Sequence, residues 1–506
     1  MGVEWNKQKI LNHLEKWFPP VRLGMLILIF ILVMTLFMPP ANGMADNGSY
    51  GPILRANGLY EYEGDTSYFK HFVAQYPLMQ YYNPEQYNIL TLQNVVIQIA
   101  IILNKAFFST KLFDIRFLAF VYCVLYLFGM LILMTAITKK LSVKKSYIVV
   151  GIAVFLLGDT SYLVYFSSFY ANPLLFILFI YFVGLGSLAY QQNKVKRIFI
   201  CLILQFLVAL LVPAVSHTTS AFIIGISIAL SGSLFFIRDS HYKMGVGILI
   251  TALLPLSLLI TNIVASPDEN KERFNSMSMG VLQVADNPGK TMQDLGMEPE
   301  YEIMRGINYD QTYVIEKSRS KSVKENFIDY IRIWRTSLYY IIHPNDLMNM
   351  LNIGLENQNI SRQNNASDKE KSAAYFQQVQ DLFFKGASRV KGAFLPKKFA
   401  FYMLVSLAII VTYAVVAYRG IKMGTKVYVA RLLAKLGIIT MMITSFIVPI
   451  VVSGTANMVQ EMQIASIIID ILLIVVLGDY LRHDLWIDKK QVMLYQISEG
   501  KGGEKE

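Results

Sequence analysis

Apolar windows about 18–22 residues long, almost free of charge, recur along this chain, and each is long enough to cross about 30 Å of hydrocarbon as a helix. The first is placed at 21–38, where the only charge, Arg22, stands at the start. Further spans are placed at 116–138, 146–166, 173–190, 198–215, 218–237, 244–264, 399–418, 428–452 and 462–481. Hydrophobic residues make up 54% of the 506 and charged residues 16%, against about 25% charged in a soluble chain. The fold class that follows is an all-α polytopic membrane protein with about ten transmembrane helices.

The 46 basic and 35 acidic residues give a net charge of +11, which raises the question of nucleic acid. Position answers against it, because the basic residues fall in short clusters between spans: Lys7, Lys9, Lys16 and Arg22; Lys139, Lys140, Lys144 and Lys145; Lys194, Lys196 and Arg197; Arg238 and Lys243; Arg419, Lys422, Lys426 and Arg431; and those from Arg482 onward. With ten crossings every cluster lies on one side, so the positive-inside rule puts both termini in the cytoplasm. Cys123 and Cys201 lie inside apolar runs, so no disulfide or metal framework is indicated. The N-terminal segment has a basic region and an apolar core, but the core is longer than a signal's h-region and is read as a retained helix.

The expected organisation is a cytoplasmic N-terminus at 1–20, a transmembrane module at 21–264 with a first outer loop at 39–115, a large extracytoplasmic loop at 265–398, C-terminal helices at 399–481 and a cytoplasmic tail at 482–506. Within the first loop, Ile89 to Phe108 carries Gln93, Asn94, Gln98, Asn104 and Lys105, too polar for a lipid-exposed span, and reads as an interfacial helix. In the large loop, Ser318 to His343 reads as a helix, Asn352 to Ala374 as a polar loop, and Tyr375 to Lys391 as an amphipathic segment.

No P-loop, GxGxxG, HExxH or GxSxG motif stands out. The unusual polar residues gather instead at the expected outer ends of spans: "PPANGMADNGSYGPILRANGLYEYEGD" (39–65), "GDTSYLVYFSSFYANP" (158–173), "PAVSHTTSAF" (213–222) and "VSGTANMVQEMQ" (452–463). A single site near the outer leaflet is the reading. Asp46, the first acid since Glu15, is either a general base held at the membrane border or the Asx-turn residue of a Gly-rich loop. Asp65 reads as a helix cap. Asp159 and Tyr162, at i and i+3, would share a helical face, either toward a cavity or between helices. Tyr170 and Asn172 stand at a turn before Pro173, and His217 at the entry to a span, where a structural hydrogen bond competes with a role in chemistry. Arg55, Arg332 and Arg335 are phosphate-binding candidates, or solvated loop residues.

With these stretches assembled, the chain resembles the bacterial GT-C superfamily of integral-membrane glycosyltransferases, nearest the glycan-biosynthesis hexose transferase group called WsfD-like. The resemblance rests on "NGMADNGSYGPILRANGLY", "DTSYLVYFSSFYANP", "YYIIHPNDL" and "GTANMVQEMQIASIIIDILL". It implies a hexosyltransferase of the bacterial cell envelope that takes sugar from a polyprenyl-phosphate carrier and moves it onto a glycan or lipid-linked acceptor at the outer leaflet. It implies Asp46 as base, Asn57 and Tyr60 with Arg55 beside the donor, Ser168, Phe169 and Tyr170 lining the sugar pocket, and basic residues of the later loop, with Arg332, Arg335 and His343, holding lipid phosphate. No cofactor or metal is required by that scheme, and the expected partners are membrane lipid, donor and acceptor, with no nucleic acid. The chain departs from the family pattern at Asn172, where an acid is usual, near His217 and Thr219, where a Lys and a Gln are usual, and at Asn457, Gln460 and Glu461. Those departures bear on donor and acceptor identity. A glycan or lipid-intermediate transporter, and a ligase or polymerase of the O-antigen type using Arg332, Arg335 and His343, are the alternatives.

Overall fold

A computed structural model describes residues 17–39, 42–46, 48–61, 72–80, 90–237, 239–264, 269–311, 317–358, 385–456 and 458–485. Asp65, Arg238 and Asn457 lie outside the described residues. Eight helices among those described are long and apolar enough to cross a membrane: Pro20–Phe37, Arg116–Thr138, Asn172–Ala189, His217–Phe235, Ser240–Ile263, Phe399–Lys422, Val427–Ser453 and Glu461–Leu481. The all-α polytopic class stands, but the count of ten is revised at two places.

The first is the span expected at 146–166. It is two helices, Val143–Leu157 and Thr160–Ser167, bent by 48°. Gly158 closes the first, and Asp159 then takes an extended conformation and caps the second by accepting from the Ser161 N–H. An Asp competes with helical hydrogen bonding in this way wherever its carboxylate reaches a nearby amide. Asp159 is therefore a cap at a break, not a mid-helix residue sharing a face with Tyr162. The second is 198–215, which forms Val195–Leu211, only 17 residues, about 25 Å long and at the lower limit for a span.

Helix contacts follow membrane rules, with small residues at crossings. Gly225 of His217–Phe235 and Gly437 of Val427–Ser453 meet back to back, and a Cβ on Gly437 would lie 2.4 Å from the Gly225 carbonyl oxygen. The central core is aromatic: Tyr122, Tyr126, Phe166, Phe176 and Phe179 are buried together, with Tyr126 and Phe166 edge to face at 5.5 Å.

The stretch expected as an interfacial helix is Leu92–Phe107. Its polar residues face protein: Gln93 donates to the Phe169 carbonyl, Asn94 and Gln98 bond Asn57, and buried Asn104 donates to the Ser109 and Leu112 carbonyls. Val95, Ile99 and Ile102 point outward, 49%, 45% and 65% exposed, so the amphipathicity is inverted relative to a helix in water, as suits contact with lipid. After it, Leu112–Asp114 pairs antiparallel with Gln75–Pro77. The helix expected from Ser318 to His343 is instead three pieces, Lys321–Asn326, Ile328–Tyr330 and Ile333–Ile342, because extended Ile331 and Arg332 interrupt the run. Pro344–Gln358 is helical, so the segment read as a polar loop from Asn352 begins inside a helix; residues 359–384 lie outside the described residues.

Candidate functional site

Asp46 is 9% exposed, and its Oδ1 accepts the backbone N–H groups of Gly48, Ser49 and Tyr50 at 2.9, 2.9 and 3.0 Å. Gly48, at φ +94°, supplies the left-handed turn that aims successive amides at one oxygen. None of the described residues donates to Oδ2. The loop is clamped from two sides: the Tyr170 hydroxyl donates to the Ala45 carbonyl at 2.9 Å, and the Tyr50 hydroxyl to that of Met44 at 3.1 Å. Tyr50 packs edge-on against Phe169 and Tyr170, with centroids at 5.2 and 4.9 Å. Burial raises the Asp46 carboxyl above its ordinary range, against the opposing pull of the three amides and of the Lys271 charge.

Three charged neighbours of Asp46 were not singled out by sequence reasoning. Lys271, on Glu269–Asn275, is the cation whose field reaches Asp46, and it pairs with Asp310, which Arg319 also meets at 3.1 Å. Glu61 is the third. Burial, and then the negative charge of Asp46, push it up to about 7, with Arg55 opposing. Its Oε1 is buried without a hydrogen bond. An acid at the membrane border poised near neutral pH has the profile of a proton-transfer group.

A second polar cluster is built from the 158–173 turn, the Gly386–Phe394 helix and the last span. Ser388 donates to Asp159 through its N–H and its hydroxyl, both at 2.9 Å. The Tyr162 hydroxyl donates to Asp470 Oδ2 at 2.7 Å, and Lys391 Nζ reaches Tyr162, Ser466 and Asp470 at 2.6, 3.0 and 2.8 Å. Asp470 is fully buried, and its Oδ1 has no hydrogen-bond partner. Asn172 donates to Gln463 at 2.8 Å and Gln463 to the Ser161 carbonyl at 3.1 Å, so hydrogen bonds run from the Asp159 cap to the turn that holds Ala45 through Tyr170. Asp470 stands in an otherwise uncharged run of "IASIIIDILLIVVLG", and an ionisable residue inside a span was the available signal for it.

The remaining candidates take structural positions. Asn57 caps Tyr50–Ala56, donates to Ile53 and Asn94, and receives Gln98, so its amide is occupied in packing. Ser168 is fully buried and donates to the Tyr165 carbonyl, which places it under the turn rather than in an open pocket. Tyr60 is 38% exposed near the end of the loop helix. His217 Nε2 lies 3.1 Å from Glu272, next in sequence to Lys271. Glu461 accepts from Ser453 at 3.2 Å. Arg332 is exposed at the start of Ile333–Ile342, Arg335 donates to the Leu295 carbonyl at 3.5 Å and lies over the Trp334 ring, and His343 packs on Tyr339 with centroids at 4.5 Å. The cation acting on Asp46 is thus Lys271, not Arg332 or Arg335.

The arrangement offers a buried, amide-anchored carboxylate, a neutral-range acid beside it, and lysine and arginine charges across from both. The family described as YfdI N-terminal transmembrane domain matches residues 5–501. No curated protein and no solved structure matches the chain.

Proposed function

This chain belongs to the YfdI N-terminal transmembrane domain family, and from that premise we propose that it is a membrane glycosyltransferase of the GT-C type, working at the end of the bundle that carries Asp46. It moves a hexose from a polyprenyl-phosphate carrier onto a cell-surface glycan or lipid-linked acceptor, with this end facing outward and both termini cytoplasmic. In the reaction, Asp46 Oδ2 takes the proton of an acceptor hydroxyl as its oxygen attacks the anomeric carbon. The bond from that carbon to the carrier phosphate breaks, the electron pair leaves with the phosphate, and the sugar inverts. Lys271 and Arg55 oppose the charge that grows on the departing phosphate, where a fixed charge in a dry site contributes several kcal/mol. A phosphate leaves as a stable anion, so no general acid is needed and one carboxylate suffices.

The observation that carries this reading is the Asp46 loop itself. Three amides grip Oδ1 while Oδ2 receives no donor among the described residues, and burial makes the carboxylate a better base than a solvated one. The test is transfer by the purified full chain from radiolabelled polyprenyl-phosphate sugars to candidate acceptors. Asp46→Asn, which keeps the shape of the side chain, is expected to cut the rate by about 10²–10⁴. Full activity in that variant would move the base elsewhere, first to Glu61.

A further inference from the structure

At the end of the bundle opposite Asp46, the loops after Arg116–Thr138, Asn172–Ala189, Phe399–Lys422 and Glu461–Leu481 converge on one cavity of about 480 Å³. Its charged lining is Lys140, Arg431, Lys435, Arg482, Asp479 and Asp484. The acids are already shared: Asp479 pairs with Lys435 at 2.8 Å and with Arg482, while Asp484 meets Arg482 at 2.9 Å and Arg431 at 3.1 Å. Four cations against two anions leave two positive charges in excess around a cavity in which Lys435 and Asp479 are 6% exposed. Excess charge around such a cavity calls for an anion.

Two further observations point to a ligand. Lys140 adopts φ +66°, a left-handed conformation rare for a residue with a Cβ, and so stands at the cavity among Asp484, Arg431 and Arg482. Gln191, 7% exposed, donates through Nε2 to the Ala136 carbonyl while its Oε1, also in the lining residue set, is buried without a partner. Along the same helices the lining then turns apolar. Arg431 and Lys435 give way to Ile438, Asp479 to Val475, and Gln191 to Phe182 about 13 Å farther into the bundle.

We infer that this cavity binds a lipid phosphate monoester, with the phosphate among Lys140, Arg431 and Arg482, a phosphate hydroxyl donating to Gln191 Oε1, and the apolar chain running inward past Ile438 and Val475. The inference does not depend on the transfer reaction, since the cavity lies at the other end from Asp46. A soluble nucleotide would use the cations but not the apolar depth, and a zwitterionic lipid would use the depth but not the excess charge.

Native mass spectrometry of the full chain in detergent, titrated with a short polyprenyl monophosphate, dioleoyl phosphatidic acid, dioleoyl phosphatidylcholine and uridine diphosphate, tests this. Both phosphate monoesters are expected to bind, the tighter one identifying an isoprenoid or an acyl source. Lys140→Gln with Arg431→Gln should weaken them about tenfold or more, two charges being removed from the head site. Lys140→Gln alone, at an exposed loop residue, covers the case in which the double variant fails to fold, and Asp46→Asn should bind as the parent does. Equal retention of phosphatidylcholine, displacement by uridine diphosphate, or undiminished binding in Lys140→Gln would overturn the assignment.

Discussion

Around Asp46 a buried carboxylate is held mainly by backbone amides, with Lys271 acting on it while paired to Asp310. Around Asp479 the carboxylate is gripped by side chains: Lys435 and Arg482 form ion pairs with it, and the Tyr413 hydroxyl donates at 2.7 Å. Amides supply half-charges that hold a carboxylate in place yet leave it basic, whereas full cations quench its basicity and lock the helices that bring them. The first arrangement suits a group that must exchange a proton, and the second suits a group that must not. On the last span the fully buried Asp470 and the buried Asp479 are separated by Ile471 to Gly478, eight residues without a polar side chain and about 12 Å of helix. That dry interval separates the two ends along this helix and disfavours a polar transport path there.

The comparison breaks most sharply if the two aspartates are swapped for asparagine one at a time. Asp479→Asn leaves Lys435 and Arg482 without their counter-charge in a buried setting and is expected to cost about 3–5 kcal/mol of stability, read as a large loss of thermal midpoint in detergent. Asp46→Asn retains an acceptor oxygen for the three amides and should leave the midpoint near that of the parent while transfer is lost. If both variants lose stability alike, Asp46 is structural and the contrast between the ends disappears.

Lys271→Met sharpens the same contrast on the reactive side. Lys271 lowers the Asp46 pKa, so its loss should raise that value further and move the acidic limb of the pH–rate profile to higher pH. The rate at pH 7 should fall about 10–100-fold through the lost charge stabilisation. An unchanged limb would detach Lys271 from Asp46.

Much of this architecture was readable from hydropathy, because spans and basic loops are local patterns in a chain. Eight spans, the Leu92–Phe107 helix and the clustering of polar turns at one end follow from such patterns. The 48° bend at Gly158 was not, although "GDTS" holds both a helix stop and a cap, because the flanking apolar runs masked them. Nor were the pairings of Tyr162 with Lys391, 229 positions apart, or of Lys435 with Asp479, since no short-range signal selects which distant charge a buried acid will meet. Lys271 and Glu61 escaped for the same reason, each looking like an ordinary loop residue until the fold set it by Asp46.

Glu61 gives a smaller effect with a defined sign. Its folded pKa, about 7, exceeds the ordinary 4.5, so the folded state holds its proton more tightly than the unfolded state. The stability it contributes is full below about pH 4.5 and is lost as pH rises to about 7. Glu61→Gln should flatten that part of the stability–pH curve measured by thermal melting, and an unchanged slope would place its titration elsewhere.

The smallest effect is expected at Arg332, and its smallness is informative. Arg332 is exposed at the start of a short helix, and no described ion pair ties it to an acid. An exposed cation contributes within about 0.5 kcal/mol to stability, so Arg332→Ala should leave the thermal midpoint unchanged. If Lys271 is the cation that matters beside Asp46, the same substitution should change transfer by less than about twofold, a barrier change under about 0.5 kcal/mol. A loss as large as that of Lys271→Met would instead mean that Ile333–Ile342 closes over the donor during the reaction. That result would recast the large loop as part of the reactive end and favour the arginine-dependent ligase chemistry over an Asp46-centred transfer.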